Sequence, residues 1–316
     1  MSTTRLGPGR LLYCQAAVVV LGATLAAQAP RAPHPIVALV VSHTARAVAP
    51  GEMVLMTISA PVPLASVSGQ AFGRPLAAFP GDQPAAWQAL VGIDLATKPG
   101  AYAATIEATT AQGAVLQAVH RLTVVPKTFG VRRLRVPAQF VTPPASALPR
   151  IEREQKRLAE VYSRVSELRL WHGPFKSPAD GAPVSNFGVR SDYNGKQGTP
   201  HRGTDFAGAT GAPVKAPNGG RVVLAADLYF SGNTVIVDHG LGLFSVLMHL
   251  SRIDVHEGDL VAAGAIVGAV GATGRVTGPH LHWSVRVGAA SVDPLSLIAV
   301  TAVEKGEKGT RHQFSR

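Results

Sequence analysis

Two short stretches hold the residue types that bind metal. They are His280-Leu281-His282-Trp283 and His201-Arg202-Gly203-Thr204-Asp205. Two histidines one residue apart, running into Ser284-Val285-Arg286-Val287, predict a β-strand on which residues i and i+2 face the same side. His280 and His282 are therefore expected side by side. His201 and Asp205 stand four apart, a spacing that also gives one face, and Gly203 and Gly208 disfavour a helix there. Two imidazoles and one carboxylate make a zinc set with one position left for water. That is the chemistry of a hydrolase. We read His201, Asp205 and His282 as the ligands. Iron(II) takes the same donors, so ligand type alone does not fix the metal.

Such a site also needs a group to accept a proton from water and one to stabilise the oxyanion. No Glu lies inside these motifs to act as the Glu of an HExxH helix does. Histidines must fill the roles, and their pKa near neutrality suits them. His249 closes the apolar run Leu243-Phe244-Ser245-Val246-Leu247-Met248, and strand alternation sets it on one face with Ser245 and Leu247. It is placed in the outer shell with His280. The only cysteine is Cys14, so thiolate metal sites and cysteine nucleophiles are excluded from the rest of the chain.

The elements that must position these residues are mostly strands. The expected fold class is mainly β, in two domains. Over residues 34–126, short apolar alternations broken by turns suggest an immunoglobulin-like β-sandwich. Its candidate strands include Ile36 to Val41, Met53 to Ile58, Trp87 to Ile93, Tyr102 to Ile106 and Val119 to Val124. His43 and His120 are read there as isolated surface or satisfied histidines. Residues 127–183 are a connector. Its Arg132-Arg133-Leu134-Arg135 run is read as solvated and facing the neighbouring domain. Its one helix is expected over residues 149–170, from Ile151, Leu158, Val161, Val165 and Leu168 at near-heptad spacing, with Ser146 as cap and Pro149 in the first turn. It is expected to pack across the domain junction. Residues 184–298 read as an antiparallel β-sheet domain, with strands closed by Gly turns. A polar tail spans 304–316.

Residues 1–29 have the pattern of a secretory signal peptide. Arg5 and Arg10 precede an apolar run from Leu11 to Ala27, and small residues follow. A retained anchor is the alternative, but Gln15 interrupts the run and leaves it short for a span. An exported protein in the periplasm or cell envelope is expected, touching the membrane only transiently. The net charge is +11. No nucleic-acid motif accompanies it, and an anionic envelope surface is the better partner.

From about Val184 to Leu297 the chain resembles the lysostaphin/LytM-type zinc metallopeptidases, which cut peptide bonds in bacterial peptidoglycan. The matching words are His201-Arg202-Gly203-Thr204-Asp205-Phe206-Ala207, Gly211-Ala212-Pro213-Val214, Val237-Asp238-His239-Gly240, Met248-His249-Leu250 and Gly271-Ala272-Thr273-Gly274-Arg275-Val276-Thr277-Gly278-Pro279-His280-Leu281-His282-Trp283. The resemblance implies a metallopeptidase domain of duplicated hybrid motif type. It implies one Zn2+ per chain held by His201, Asp205 and His282, with His249 and His280 as the catalytic pair. The implied partners are peptidoglycan peptide stems. Leu247 stands where many relatives carry a Tyr, which touches no ligand. His239 is read as structural. Asn186 and Arg190 are candidates to border the site, and Asn194 is another candidate for an Asn that occupies the resting metal. The rival readings are a non-catalytic envelope module that activates another cell-wall hydrolase, and a phosphocarrier of similar β architecture. The sequence leaves oligomeric state and the exact bond cut open.

Overall fold

Alternation along Met53-Val54-Leu55-Met56-Thr57-Ile58 sends side chains to two different cores, and that division organises the molecule. In the computed structural model, which describes residues 38–81, 85–184 and 187–302, Val54, Met56 and Ile58 face one cluster and Met53 and Leu55 another. The signal segment expected over 1–29, the tail expected over 304–316 and Asn186 lie outside the described residues.

The first eight strands are β1 (Val40–Ala45), β2 (Met53–Ser59), β3 (Leu64–Ala71), β4 (Arg74–Pro75), β5 (Ala77–Pro80), β6 (Ala86–Gly92), β7 (Gly100–Thr110) and β8 (Val115–Val124). They form two four-stranded antiparallel sheets, in the orders β1-β2-β6-β5 and β4-β3-β7-β8. Val54, Met56, Ile58, Ala89 and Val91 of the first sheet share a core with Val67, Ala104, Ile106, Leu122 and Val124 of the second. Among the described residues the first strand begins at Val40, where pairing with β2 starts; Ile36 and Val37 of the expected strand lie outside them. His43 and His120 are not isolated: His43 Nδ1 lies 2.7 Å from His120 Nε2, joining β1 to β8.

After β8 come β9 (Val131–Leu134), α1 (Leu148–Ser163), β10 (Pro183–Val184), β11 (Arg190–Tyr193), β12 (Lys196–Pro200), β13 (Thr204–Ala207) and β14 (Pro213–Lys215). Then follow β15 (Gly220–Leu228), β16 (Gly232–Gly240), β17 (Leu243–Leu250), β18 (Arg252–Ile253), β19 (Leu260–Val261), β20 (Ile266–Ala269), β21 (His280–Val287), β22 (Ala290–Val292) and α2 (Pro294–Ala302). An eight-stranded sheet runs β10-β13-β21-β17-β16-β15-β19, with β22 on β21. The fold is mainly β with antiparallel sheets, as expected.

The helix ends at Ser163, not near residue 170. Arg164 is extended, and the chain beyond it pairs with the sheet: Leu241 N–H donates to Ser166 O and Leu170 N–H to His239 O. Tertiary hydrogen bonds thus override the helical pattern, and Val165 and Leu168 are left exposed. Gly240 permits the contact, since a Cβ there would sit 1.8 Å from Leu168 O. Ser146 does not cap the helix; it lies in a 3-10 turn (Ala145–Ala147), while Pro149 occupies the first turn as expected. Leu158, Val161 and Tyr162 pack on Leu224, Ile236, Phe244 and Val246, so α1 covers a face of the large sheet.

The first four-stranded sheet and the large sheet share a core. Met53, Leu55, Phe79 and Leu90 cluster with Trp171, Phe175, Val287, Ala290, Val292 and Leu297. Polar groups reinforce this contact. Buried Glu52 accepts from Arg46 Nε at 3.0 Å and from Lys127 Nζ at 2.6 Å. Arg46 also reaches Asp293, whose Oδ1 accepts from Thr204 Oγ1 at 3.1 Å, one residue from Asp205. All described residues fall in one compact unit, Val37–Arg316. No helix among them is long and apolar enough to cross a membrane.

Candidate metal centre

Strand β21 carries the site because its two faces differ. Leu281, Trp283 and Val285 enter the core, while His280, His282 and Ser284 line a cavity of about 550 Å³. Antiparallel pairing with β13 sets Asp205 opposite His282 and Ala207 opposite His280. His201 sits just before β13. The turn between them requires Gly203, where a Cβ would stand 2.5 Å from His282 Nε2 and 2.5 Å from Trp283 O.

Asp205 Oδ1 lies 3.1 Å from His201 Nε2 and 2.9 Å from His282 Nδ1. One ligand atom from each of these three residues falls within 4.8 Å of the others. Hydrogen bonding on the far side of His282 fixes its tautomer. Ser284 Oγ spends its one proton on Arg202 O at 2.8 Å, so it accepts from His282 Nε2 at 2.8 Å. The Nδ1 lone pair then points at the carboxylate. His201 Nδ1 is buried without a hydrogen-bond partner among the described residues. Lone pairs converging at about 3 Å repel unless a proton or cation lies between them. The donor set therefore fits a divalent ion, with Ser284 orienting one ligand from outside.

Electrostatics agree. Burial alone would raise the Asp205 carboxyl, but positive charge on the facing His201 and His282 outweighs it and holds it well below the usual carboxylate range, as a bound cation at that point would. Burial lowers His282, partly offset by Asp205. Burial, then the charges of His282 and His280, pushes His249 down to about 3.

His280 and His249 face each other across the same cavity, their ring centres 5.0 Å apart. His280 Nδ1 donates to Gly278 O at 2.8 Å and His249 Nδ1 to Thr273 O at 2.9 Å. A carbonyl can only accept, so each neutral ring leaves Nε2 as its free base. Simple alternation does not produce this arrangement. Met248 pairs with His282 and shares its face, which would turn His249 into the core beside Leu247. His249 instead adopts φ +65°, which turns its ring back into the cavity with Met248.

The structure thus brings His201, Asp205, His249, His280 and His282 into one cavity. Asn194 is not there; its amide clasps the backbone of Val136, accepting at 3.0 Å and donating at 2.8 Å. The Arg132–Arg135 run is not simply solvated. Val131–Leu134 pairs in parallel with β11, and Arg132 Nη1 comes within 3.9 Å of Asp205 Oδ2. His239 is fully buried in β16, with Nδ1 donating to Gly219 O and Nε2 accepting from Ser245 Oγ. Burial lowers it to about 4. The positioning residues Ser284 and Thr273 were missed from sequence. The only available signal was that Ser284 stands two residues after His282 on the same strand face.

An antiparallel sheet carrying a two-histidine, one-carboxylate cluster with a second histidine pair defines the metallopeptidase class. The model of peptidase family M23 matches residues 199–294, a span holding all five of these residues. A chain from Pseudomonas aeruginosa with a crystal structure assigned to peptidase M23 is 36% identical, with TM-score 0.61, and the match covers 81% of this chain and 96% of that one. This chain belongs to peptidase family M23. It is also similar to the peptidoglycan DD-endopeptidases ShyB and ShyA of Vibrio cholerae serotype O1. It is 41% identical to ShyB over 30% of this chain and 44% identical to ShyA over 29%. The matched parts span only 22% and 21% of those relatives' lengths.

Proposed function

We propose that this chain is an exported zinc-dependent endopeptidase that hydrolyses peptide cross-links of bacterial peptidoglycan. The observation that carries the reading is the convergence of His201 Nε2, Asp205 Oδ1 and His282 Nδ1, faced by two histidines with free Nε2 atoms. Zinc held by His201, Asp205 and His282, one ion per chain, supplies Lewis acidity toward water and an amide carbonyl. His249 and His280 accept and return the proton through Nε2 and donate to the developing oxyanion when protonated. Their Nδ1–H bonds to Thr273 O and Gly278 O hold both rings in position. The substrate reading is supported by the endopeptidase relatives. Export is supported by the signal pattern of residues 1–29. The two four-stranded sheets over Val40–Val124 support an immunoglobulin-like module packed against the peptidase part.

The test is digestion of isolated sacculi, with and without chelator, and identification of the released muropeptides. Chelator-sensitive release of cleaved cross-links is expected, and His282→Ala should abolish it along with metal binding. Full digestion by that variant, or no digestion by the metal-loaded wild type, would overturn the reading.

A further inference from the structure

Arg275 has an unusual setting in the cavity wall. Its guanidinium lies over two aromatic rings, 4.6 Å from the Tyr193 centroid and 5.0 Å from that of Phe230. Its backbone N–H donates to Phe230 O at 2.8 Å. Among the described residues, its side chain has no carboxylate or other acceptor. Rings at these distances hold a charged guanidinium by cation–π attraction, which uses none of its N–H donors. Such a fork suits bidentate binding of a carboxylate.

A second cavity, of about 510 Å³, adjoins the first, sharing Tyr193, Thr199 and Arg275 with it. Its other walls include Phe140, Val141 and Lys196. Among the described residues no acid lines it, and Asp205 is the only acid lining the main cavity. The side cavity is a supported structure. Phe140 packs edge-on against Tyr229, whose hydroxyl donates to Gln139 O at 2.9 Å, and Lys196 Nζ donates to Thr142 Oγ1 at 2.9 Å. Two cations in a recess without acids, beside a metal-binding cluster, favour an anionic group on whatever occupies the groove.

We propose that Arg275, lying over Tyr193 and Phe230, and the adjoining Lys196 recess form a subsite for a carboxylate carried by the substrate peptide next to the scissile amide. The proposal rests on the peptidase reading above and adds a specificity determinant to it. Arg275 supplies the planar contact and Lys196 the second charge. A peptide whose carboxylate is converted to a carboxamide keeps its shape but loses the charge-assisted bonds. Such bonds are worth about 1.5–3 kcal/mol, roughly ten- to a hundredfold in affinity.

The test compares a cross-linked peptide dimer bearing a free carboxylate beside the scissile amide with the same dimer amidated there. Hydrolysis rates on the metal-loaded full chain, and equilibrium binding to the metal-free chain, are both measured. We expect the acid to be preferred by about tenfold or more in kcat/KM, mostly through KM, and in binding. Arg275→Gln should bring both ratios toward one, Lys196→Gln should reduce them partway, and Arg275→Lys should restore them only in part. Equal use of acid and amide by the wild type, or an undiminished preference in folded Arg275→Gln, overturns the subsite while leaving the hydrolase reading intact. Arginine-dependent binding of the acid without hydrolysis sustains the subsite and sinks the hydrolase reading. Neither binding nor hydrolysis refutes both.

Discussion

Ser284 Oγ lies 2.8 Å from His282 Nε2 and donates its own hydrogen bond to Arg202 O. This two-residue step along one strand face sets the imidazole so that Nδ1 meets Asp205. Ser284→Ala should weaken metal binding by about tenfold to a hundredfold, the usual effect of losing an outer partner of a histidine ligand. Zinc titration against a competing chelator measures it, and an unchanged affinity would show that Asp205 alone orients the ring.

The two histidine sets should separate experimentally. His249→Ala is expected to retain the metal stoichiometry of the wild type while its turnover of sacculi falls by about a hundredfold or more, the scale of lost acid–base catalysis. His282→Ala should lose both. Metal analysis beside activity distinguishes them, and loss of metal in His249→Ala would contradict its exclusion from the ligand set.

Stability should depend on pH through His239. This residue is buried and neutral, with its folded pKa lowered to about 4 from 6.5. Between those values the unfolded chain binds more protons, so stability is fully present above about pH 6.5 and falls as pH drops toward 4. The loss from this residue approaches roughly 3 kcal/mol across the window. His249 and His282 act in the same direction in metal-free protein. The measurement is therefore a difference: urea unfolding at pH 7.5 and pH 5 for the wild type and for His239→Asn, whose pH slope should be smaller.

Glu52 ties the first sheet to the metal-bearing part. It is 2% exposed and accepts from both Arg46 and Lys127. Both partners are partly exposed, which limits what the pairs contribute. Removing the charge still leaves unsatisfied donors at a packed boundary, so Glu52→Gln should cost about 2 kcal/mol. Denaturant unfolding gives the value, and a change below a few tenths of a kcal/mol would mean that apolar packing alone holds the boundary.

Gly203→Ala tests the close approach of the two ligand strands. Its added Cβ would meet His282 Nε2 at 2.5 Å. Both chain segments must shift, so metal affinity should fall by about tenfold or more, while the two four-stranded sheets, which share a core of their own, remain folded. Metal titration together with circular dichroism checks both halves of this expectation.

The candidate site was largely legible because strand periodicity and ligand chemistry act over a few residues. His280 and His282 share a face, and the HxxxD spacing supplies the carboxylate. The apolar alternations likewise marked β2, β6 and β17 close to where they lie. The failures occurred where long-range contacts decided the outcome. The heptad pattern through Val165 and Leu168 continued past Ser163, but pairing of Ser166 and Leu170 with Leu241 and His239 drew that stretch out of the helix. His43 and His120 looked isolated because residues 77 positions apart carry no shared local signal.

By itself the sequence determined the chemical inventory: which donors exist, which lie on one strand face, and that cysteine is absent after Cys14. Those are properties of residue type and short-range geometry. Only the tertiary structure decided which nitrogen of His282 faces Asp205, that His249 turns back into the cavity at φ +65°, and that Arg132 and Arg275 reach the same groove. Each of these depends on strand register and on partners distant in the chain, and no local pattern encodes such a pairing.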